Sequence, residues 1–305
     1  MRVSLIQPNA FQVVGPFVPY SLLFIASVLK KNGHKVKILD EQLGKINPAD
    51  VADSDIIGIT CMGGEHVLRG IDIVKSIREA AITIPVVWGG AQPSMTPELA
   101  LKDSHVDYII HGYGEKAILE LLDSIENKND VGVNDTFKSH WVDMHPDIFP
   151  LPYELLQVDR YPNIPIQTSR GCTGTCNFCY LSNYEYRPIS VLPIEVVIKE
   201  IEYLQRNFNV KEIWVYDDNF FWNKKRLLTF CEGLLMNKIN IKWAASARCN
   251  EVLQYNDNEF DLVKRSGCIR IDFGGESGSN DLLRSMNKNL NASETISAAT
   301  LCSHH

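Results

Sequence analysis

No stretch of the 305-residue chain approaches the roughly 20 consecutive apolar residues that a membrane-spanning helix needs. The start, MRVSLIQPNA, is a short strand-like run without the longer apolar core and cleavage site of a secretory signal, so the expected location is cytoplasmic. Basic residues are not in excess either. With 30 Lys and Arg against 37 Asp and Glu, the net charge is −7, and no nucleic-acid partner is expected, since nonspecific binding needs a basic surface. Internal repeats and low-complexity tracts are absent. Five of the eight cysteines (Cys61, Cys231, Cys249, Cys268 and Cys302) show no pairing rhythm, which argues against a disulfide framework and for a reducing compartment.

The composition that remains, 45% apolar and 22% charged, is ordinary for a soluble globular protein. The length is enough for two domains. Residues 1–128 alternate strand-like runs with amphipathic helical stretches. The strands are Arg2–Gln7, Lys35–Asp40, Ile56–Thr60, Pro85–Trp88 and Asp107–His111. The helices are Tyr20–Lys31, Val67–Glu79 and Lys116–Glu126. Such alternation implies a parallel α/β sheet with helices on both faces. Ligands bind such sheets outside the carboxyl ends of the strands. Three of these ends carry glycine or small residues, at Thr60-Cys61-Met62-Gly63-Gly64, Gly89-Gly90-Ala91-Gln92-Pro93 and Gly112-Tyr113-Gly114-Glu115. Each loop alone could be a tight turn, but three on one edge suit a large ligand.

The run VVWGGAQPSMTPE, followed by VDYIIHGYGE, resembles the cobalamin-binding domains that precede the barrel in many radical S-adenosylmethionine (SAM) enzymes. The resemblance implies a five-stranded flavodoxin-like (Rossmann-like) fold, with Thr60, Gly63, Gly89, Gly90, Gly112, Gly114 and Glu115 as the cobalamin contacts. One departure stands out. Methionine synthase-type domains carry Asp-x-His-x-x-Gly, with the His on cobalt, whereas Asp40-Glu41-Gln42-Leu43-Gly44 has no histidine. If cobalamin binds, the resemblance implies a cobalt without a His ligand. His66 is a distant candidate and reads more simply as a solvated residue at a helix start.

Residues 129–163 read as a linker, because Pro146, Pro150 and Pro152 can neither continue a helix nor fill a central strand. Ile164–Ser169 then reads as a strand, leading to Cys172-Thr-Gly-Thr-Cys176-Asn-Phe-Cys179. Thiolates are the ligands of iron–sulfur clusters, and a loop this short lets three converge on one cubane face. The next cysteine, Cys231, is 52 residues on, in a helical run, so one iron would keep an open coordination site. A zinc site borrowing a distant ligand competes, but zinc sites usually show paired Cys-x2-Cys units, and only one is here.

This spacing, with an aromatic residue before the third cysteine, is similar to the signature of the radical SAM superfamily. The resemblance implies a [4Fe-4S] cluster on Cys172, Cys176 and Cys179, chelation of SAM by the unique iron, and its cleavage to a 5′-deoxyadenosyl radical. Helical runs at Pro193–Phe208, Lys224–Leu235 and Asp257–Lys264, with strands at Glu212–Tyr216, Ile241–Ala247 and Ile269–Phe273, support a βα barrel. VYDDNFF and DFGGESGSNDLLRSMNK also resemble the family. By that match Asp218 and Asn219 lie near the SAM amino group, Arg248, Glu276 and Ser277 serve its carboxylate or ribose, and Phe178 lies by its adenine. The radical SAM core, residues 164–305, shows four βα units where the resembled core has six.

The fold class expected is therefore α/β: a cobalamin-binding-type domain followed by a partial radical SAM barrel. The expected function is cobalamin-dependent methyl transfer to an unactivated carbon or phosphorus of a small-molecule substrate, with flavodoxin or ferredoxin as reductant. The alternatives are an oxidative cyclase, a radical SAM enzyme without functional cobalamin, and a truncated non-catalytic cofactor-binding protein. A partner could supply the strands the barrel lacks.

Overall fold

The computed structural model describes residues 1–9, 15–127, 135–138, 143–183 and 189–304. The chain divides into two compact units, one of residues 1–142 and 151–162, the other of residues 143–150 and 163–305.

The first unit is a parallel sheet with strands β1 (Arg2–Gln7), β2 (Lys35–Asp40), β3 (Ile56–Thr60), β4 (Val86–Gly89), β5 (Tyr108–His111) and β6 (Asp135–Lys138), in the order β2-β1-β3-β4-β5-β6. Five strands were expected; the sixth lies within the stretch read as linker. The rest of that stretch up to residue 142 lies outside the described residues. The helices are α1 (Tyr20–Lys31), α2 (Glu65–Glu79), the short α3 (Ala91–Met95) and α4 (Pro97–Ala100), and α5 (Gly114–Glu126).

β1 and β3 are near-continuous apolar runs because both sheet faces are covered. On one face Leu22 and Leu29 of α1 and Ile118 and Leu121 of α5 pack with Val3, Leu5 and Ile56. On the other, Ile73, Val74 and Ile77 of α2 pack with Ile57, Ile59 and Trp88. Strand order turns between β1 and β3, so the carboxyl-end loops of the central strands gather at the switch point. Tyr161 returns to this unit, its hydroxyl donating to Asp40 Oδ2 at 2.6 Å.

In the second unit, parallel strands β7 (Ile164–Ile166), β10 (Glu212–Val215), β11 (Lys242–Ala247) and β12 (Cys268–Phe273) form a sheet in the order β12-β11-β10-β7. Its long helices are α6 (Ile194–Phe208), α7 (Lys224–Met236), α9 (Asp257–Arg265) and α11 (Ala292–His304); α8 (Cys249–Val252) and α10 (Asn280–Ser285) are short. Trp243 is fully buried and stacks edge-to-face with Phe220 and Phe230, ring centroids 5.8 and 5.5 Å away. This anchors α7 to the sheet.

The strand expected over Ile164–Ser169 breaks in two. After β7 the chain turns and forms β8 (Ser169–Arg170), which pairs antiparallel with β9 (Ser190–Val191). The cause is Asp217, buried just past β10. Its Oδ1 accepts from Thr168 N at 2.6 Å, and its Oδ2 from the Thr168 and Ser169 hydroxyls, each also at 2.6 Å. The β8–β9 pair thus closes the base of the excursion that carries the three cysteines.

Candidate functional site

The cysteine loop is held from several sides. At its start Gly171 N donates to Asp218 Oδ2 at 2.8 Å, and just past its end the Tyr180 hydroxyl donates to Asp218 Oδ1 at 2.8 Å. From the region after α10, Asn287 Nδ2 donates to the Thr175 carbonyl and hydroxyl, both at 2.9 Å. Asn177 answers with its amide to Met286 O at 3.1 Å and its side chain to Ser285 O at 2.8 Å.

Two sulfurs meet N–H donors. Gly174 N donates to Cys172 Sγ at 3.3 Å, and Arg248 Nη1 approaches Cys176 Sγ at 3.7 Å. A Cβ on Gly174 would meet Arg248 Nη1 and lie 3.3 Å from Cys172 Sγ, so glycine there lets the guanidinium reach its present position beside the loop. Burial pushes the Cys172 thiol up, opposed by the Gly174 amide and the Arg248 charge. Burial pushes Cys61, Cys231 and Cys268 each up to about 12, although hydrogen bonds with Ser266 at Cys231 and with the Arg270 backbone at Cys268 oppose it. Among the described residues no positive charge lowers any of the three, as expected of inert structural thiols. All eight cysteines are free.

The donor set fits an iron–sulfur cluster in its chemistry: three unpaired thiols on one loop, two of them facing N–H donors. Among the described residues, no three His, Cys, Asp or Glu side chains are grouped closely enough to hold a metal ion. The structure therefore brings the cysteines onto one loop beside Arg248 without closing a ligand triangle.

The residues expected around SAM divide into linked sets. Arg248 gives its Nη2 to the Lys288 carbonyl, and Lys288 Nζ pairs with Glu276 Oε1 at 2.8 Å and lies 5.7 Å from the Phe178 ring centroid. Phe178 is half exposed. Asn219 is buried, donates from Nδ2 to Glu251 Oε2 at 2.7 Å, and among the described residues has no partner for Oδ1. Burial pushes the Glu251 carboxyl up, opposed by the Asn219 bond and by Arg248. Ser277 stays apart, its Oγ accepting from Ser279 N at 3.0 Å in its own turn. Sequence reading missed Tyr180, Glu251, Asn287 and Lys288. Their signals were adjacency to Cys179, spacing of three from Arg248 on a short helix, and the quoted SMNK run.

At the carboxyl edge of the first sheet, Thr60 and Gly89 are register partners. Gly90 has φ +98°, and a Cβ there would lie 2.6 Å from Cys61 O. Ser94 links two of the glycine loops, donating from Oγ to Gly90 O at 2.7 Å and accepting from Gly112 N at 2.9 Å. Gly63 faces Gln92 across the same edge. Gly114 is explained by packing, since a Cβ there would meet Ile25 at 2.9 Å, and Glu115 is buried in the first turn of α5. His66 is not solvated as expected; it is 3% exposed, with Met62 N donating to its Nδ1 at 3.3 Å. That bond turns Nδ1 to the local backbone, and burial pushes the imidazole pKa down.

Two family models cover most of the chain: the B12 binding domain matches residues 7–122 and the radical SAM superfamily matches residues 166–305. The chain belongs to the radical SAM enzymes that carry a cobalamin-binding domain. Relatives in this family include an uncharacterized methyltransferase of Pyrococcus horikoshii, 29% identical over 98% of this chain and 70% of its own length. An anaerobic magnesium-protoporphyrin IX monomethyl ester cyclase of Synechocystis is 24% identical over 94% of this chain and 62% of its own. Among solved folds, the cobalamin-dependent SAM radical enzyme OxsB with aqua-cobalamin bound matches with TM-score 0.78 at 22% identity, over 97% of this chain and 47% of that one. The radical SAM methyltransferase TsrM of Kitasatospora setae, with cobalamin and a [4Fe-4S] cluster bound, matches at 0.78 and 18% identity, over 99% and 65%. The chain thus spans 47–70% of these four proteins. The first of its two domains is thus of the B12-binding type and the second of the radical SAM type. Among the described residues no helix is long and apolar enough to cross a membrane.

Proposed function

We propose that this protein is a cobalamin-dependent methyltransferase. In this reading SAM is cleaved at a [4Fe-4S] cluster on Cys172, Cys176 and Cys179, and the methyl acceptor is an unactivated carbon or phosphorus of a small molecule. The observation that carries the reading is the loop itself: three free thiols between β8 and β9, with Arg248 against Cys176 and Asp218 at both flanks. Relatives named as methyltransferases, including a bacteriochlorophyllide d C-12(1)-methyltransferase of Chlorobaculum tepidum, support methyl transfer.

The cofactors carry the hard chemistry: SAM cleaved at the reduced cluster supplies a 5′-deoxyadenosyl radical, and cobalamin supplies the methyl group. The protein's work is to hold them. Arg248 places a positive charge beside one cluster thiolate. Lys288 and Glu276 beside the loop and Phe178 on it form a connected charged and aromatic wall, suited to the polar and adenine parts of SAM. Gly63, Gly89, Gly90 and Gly112, beside the buried Thr60, keep this edge free of bulky side chains, with exposed Met62 and Met95 beside it, suited to the broad corrin ring. A flavodoxin or ferredoxin is the expected electron donor.

Oxidative cyclisation is the second reading, favoured by the similarity to two magnesium-protoporphyrin IX monomethyl ester cyclases. The test is anaerobic reconstitution with iron and sulfide, reduction, and assay of 5′-deoxyadenosine from SAM. Product from the wild type that disappears in Cys176→Ala supports the reading. A cluster-loaded wild type that yields none contradicts it.

A further inference from the structure

We propose that Asp218 is a positioning residue that locks the cluster loop by binding both of its flanks. The proposal rests on the reading of Cys172, Cys176 and Cys179 as cluster ligands. It assigns Asp218 a role different from the SAM contact that the sequence resemblance implied.

The geometry is specific. Gly171, the residue before Cys172, gives its backbone N–H to Asp218 Oδ2, and Tyr180, the residue after Cys179, gives its hydroxyl to Oδ1, each at 2.8 Å. One carboxylate therefore spans the first and last ligands, and each of its oxygens is taken by the loop. Asp218 is itself fixed, because the preceding Asp217 is buried beneath Thr168 and Ser169 and the following Asn219 is buried against Glu251. It thus joins a glycine-bearing loop to the end of β10. Charge-assisted hydrogen bonds to a carboxylate are the strong kind, and removing a partner leaves the loop amide without an acceptor.

The test uses the full chain, reconstituted anaerobically with iron and sulfide and desalted, as wild type, Asp218→Ala, Asp218→Asn and Tyr180→Phe. Three quantities are read: the rate of iron loss to an added chelator, the electron paramagnetic resonance spectrum of the reduced cluster without SAM, and its change when SAM is added. Asp218→Ala should lose iron on the order of tenfold faster or more, with a broadened SAM-free spectrum. Asp218→Asn should largely rescue both, since its oxygen can accept from Gly171 and its NH2 can donate to the Tyr180 hydroxyl. Tyr180→Phe should fall between.

An Asp218→Ala variant with wild-type iron retention and SAM-free spectrum overturns the proposal; loss of only the SAM-induced change would make Asp218 a SAM contact instead. If the Ala variant does not fold, Tyr180→Phe decides, and a wild-type rate of iron loss there overturns the proposal. A wild type that takes up no iron removes the cluster reading itself, an outcome separate from an iron-loaded wild type with indifferent variants.

Discussion

Arg248 lays its guanidinium against Cys176, with Nη1 3.7 Å from Sγ, while its Nη2 is anchored on the Lys288 carbonyl. A fixed positive charge at a cluster sulfur stabilises the more negative, reduced state, because charge and hydrogen bonds at the sulfurs set cluster potentials. Arg248→Gln should therefore shift the reduction midpoint to more negative values, on the order of tens of millivolts. A redox titration followed by electron paramagnetic resonance reads the shift. A midpoint equal to wild type, with the cluster intact, would remove Arg248 from this role.

Asp217 and Asp218 are neighbours with separate tasks. Asp217 serves the fold: three donors of Thr168 and Ser169 converge on its buried carboxylate, and Arg226 donates to the Thr168 carbonyl at 2.8 Å. Asp217→Ala leaves those donors unpaired and should lower stability by about 3 kcal/mol. The check is a denaturant unfolding midpoint measured on metal-free protein. Asp218→Ala, whose partners lie on the loop, should move that midpoint far less.

His66 gives a pH dependence of definite sign. Burial lowers its pKa in the folded protein, so on acidification the unfolded chain binds the proton first. The stabilisation is complete above the unfolded value of about 6.5 and is lost as pH falls through the folded value. Thermal unfolding between pH 7.5 and 5.5, approximately, should show a steeper loss in the wild type than in His66→Gln. Parallel curves would contradict the burial account. His34, whose pKa burial also lowers, is retained in both and cancels in the comparison.

Much of the fold was legible because the chain is locally consistent. α1 reads from Leu22, Leu23, Ala26 and Leu29 on one face and ends in Lys30, Lys31 and a Gly33 at φ +79°, as its sequence signals required. The break after Ile166 was not legible, because it depends on Asp217 from some 50 residues away reaching under Thr168. The sixth strand was hidden by its brevity: Asp-Thr-Phe-Lys gains its ladder from β5. In the site, the cysteines announced themselves by spacing. Lys288, Glu251 and Tyr180 did not, since a lone charge or hydroxyl acquires meaning only from what the fold sets opposite it. Gly114, expected at a ligand, also has a packing reason to be glycine that the sequence did not reveal: it makes room for Ile25.

The most direct test of the central claim is iron analysis and electron paramagnetic resonance of the anaerobically reconstituted full chain, beside a variant with Cys172, Cys176 and Cys179 all replaced by Ala. The account predicts about four irons per wild-type chain, a reduced [4Fe-4S] spectrum that changes on adding SAM, and neither in the variant. Zinc in place of iron, or iron retained equally by the triple variant, would contradict it.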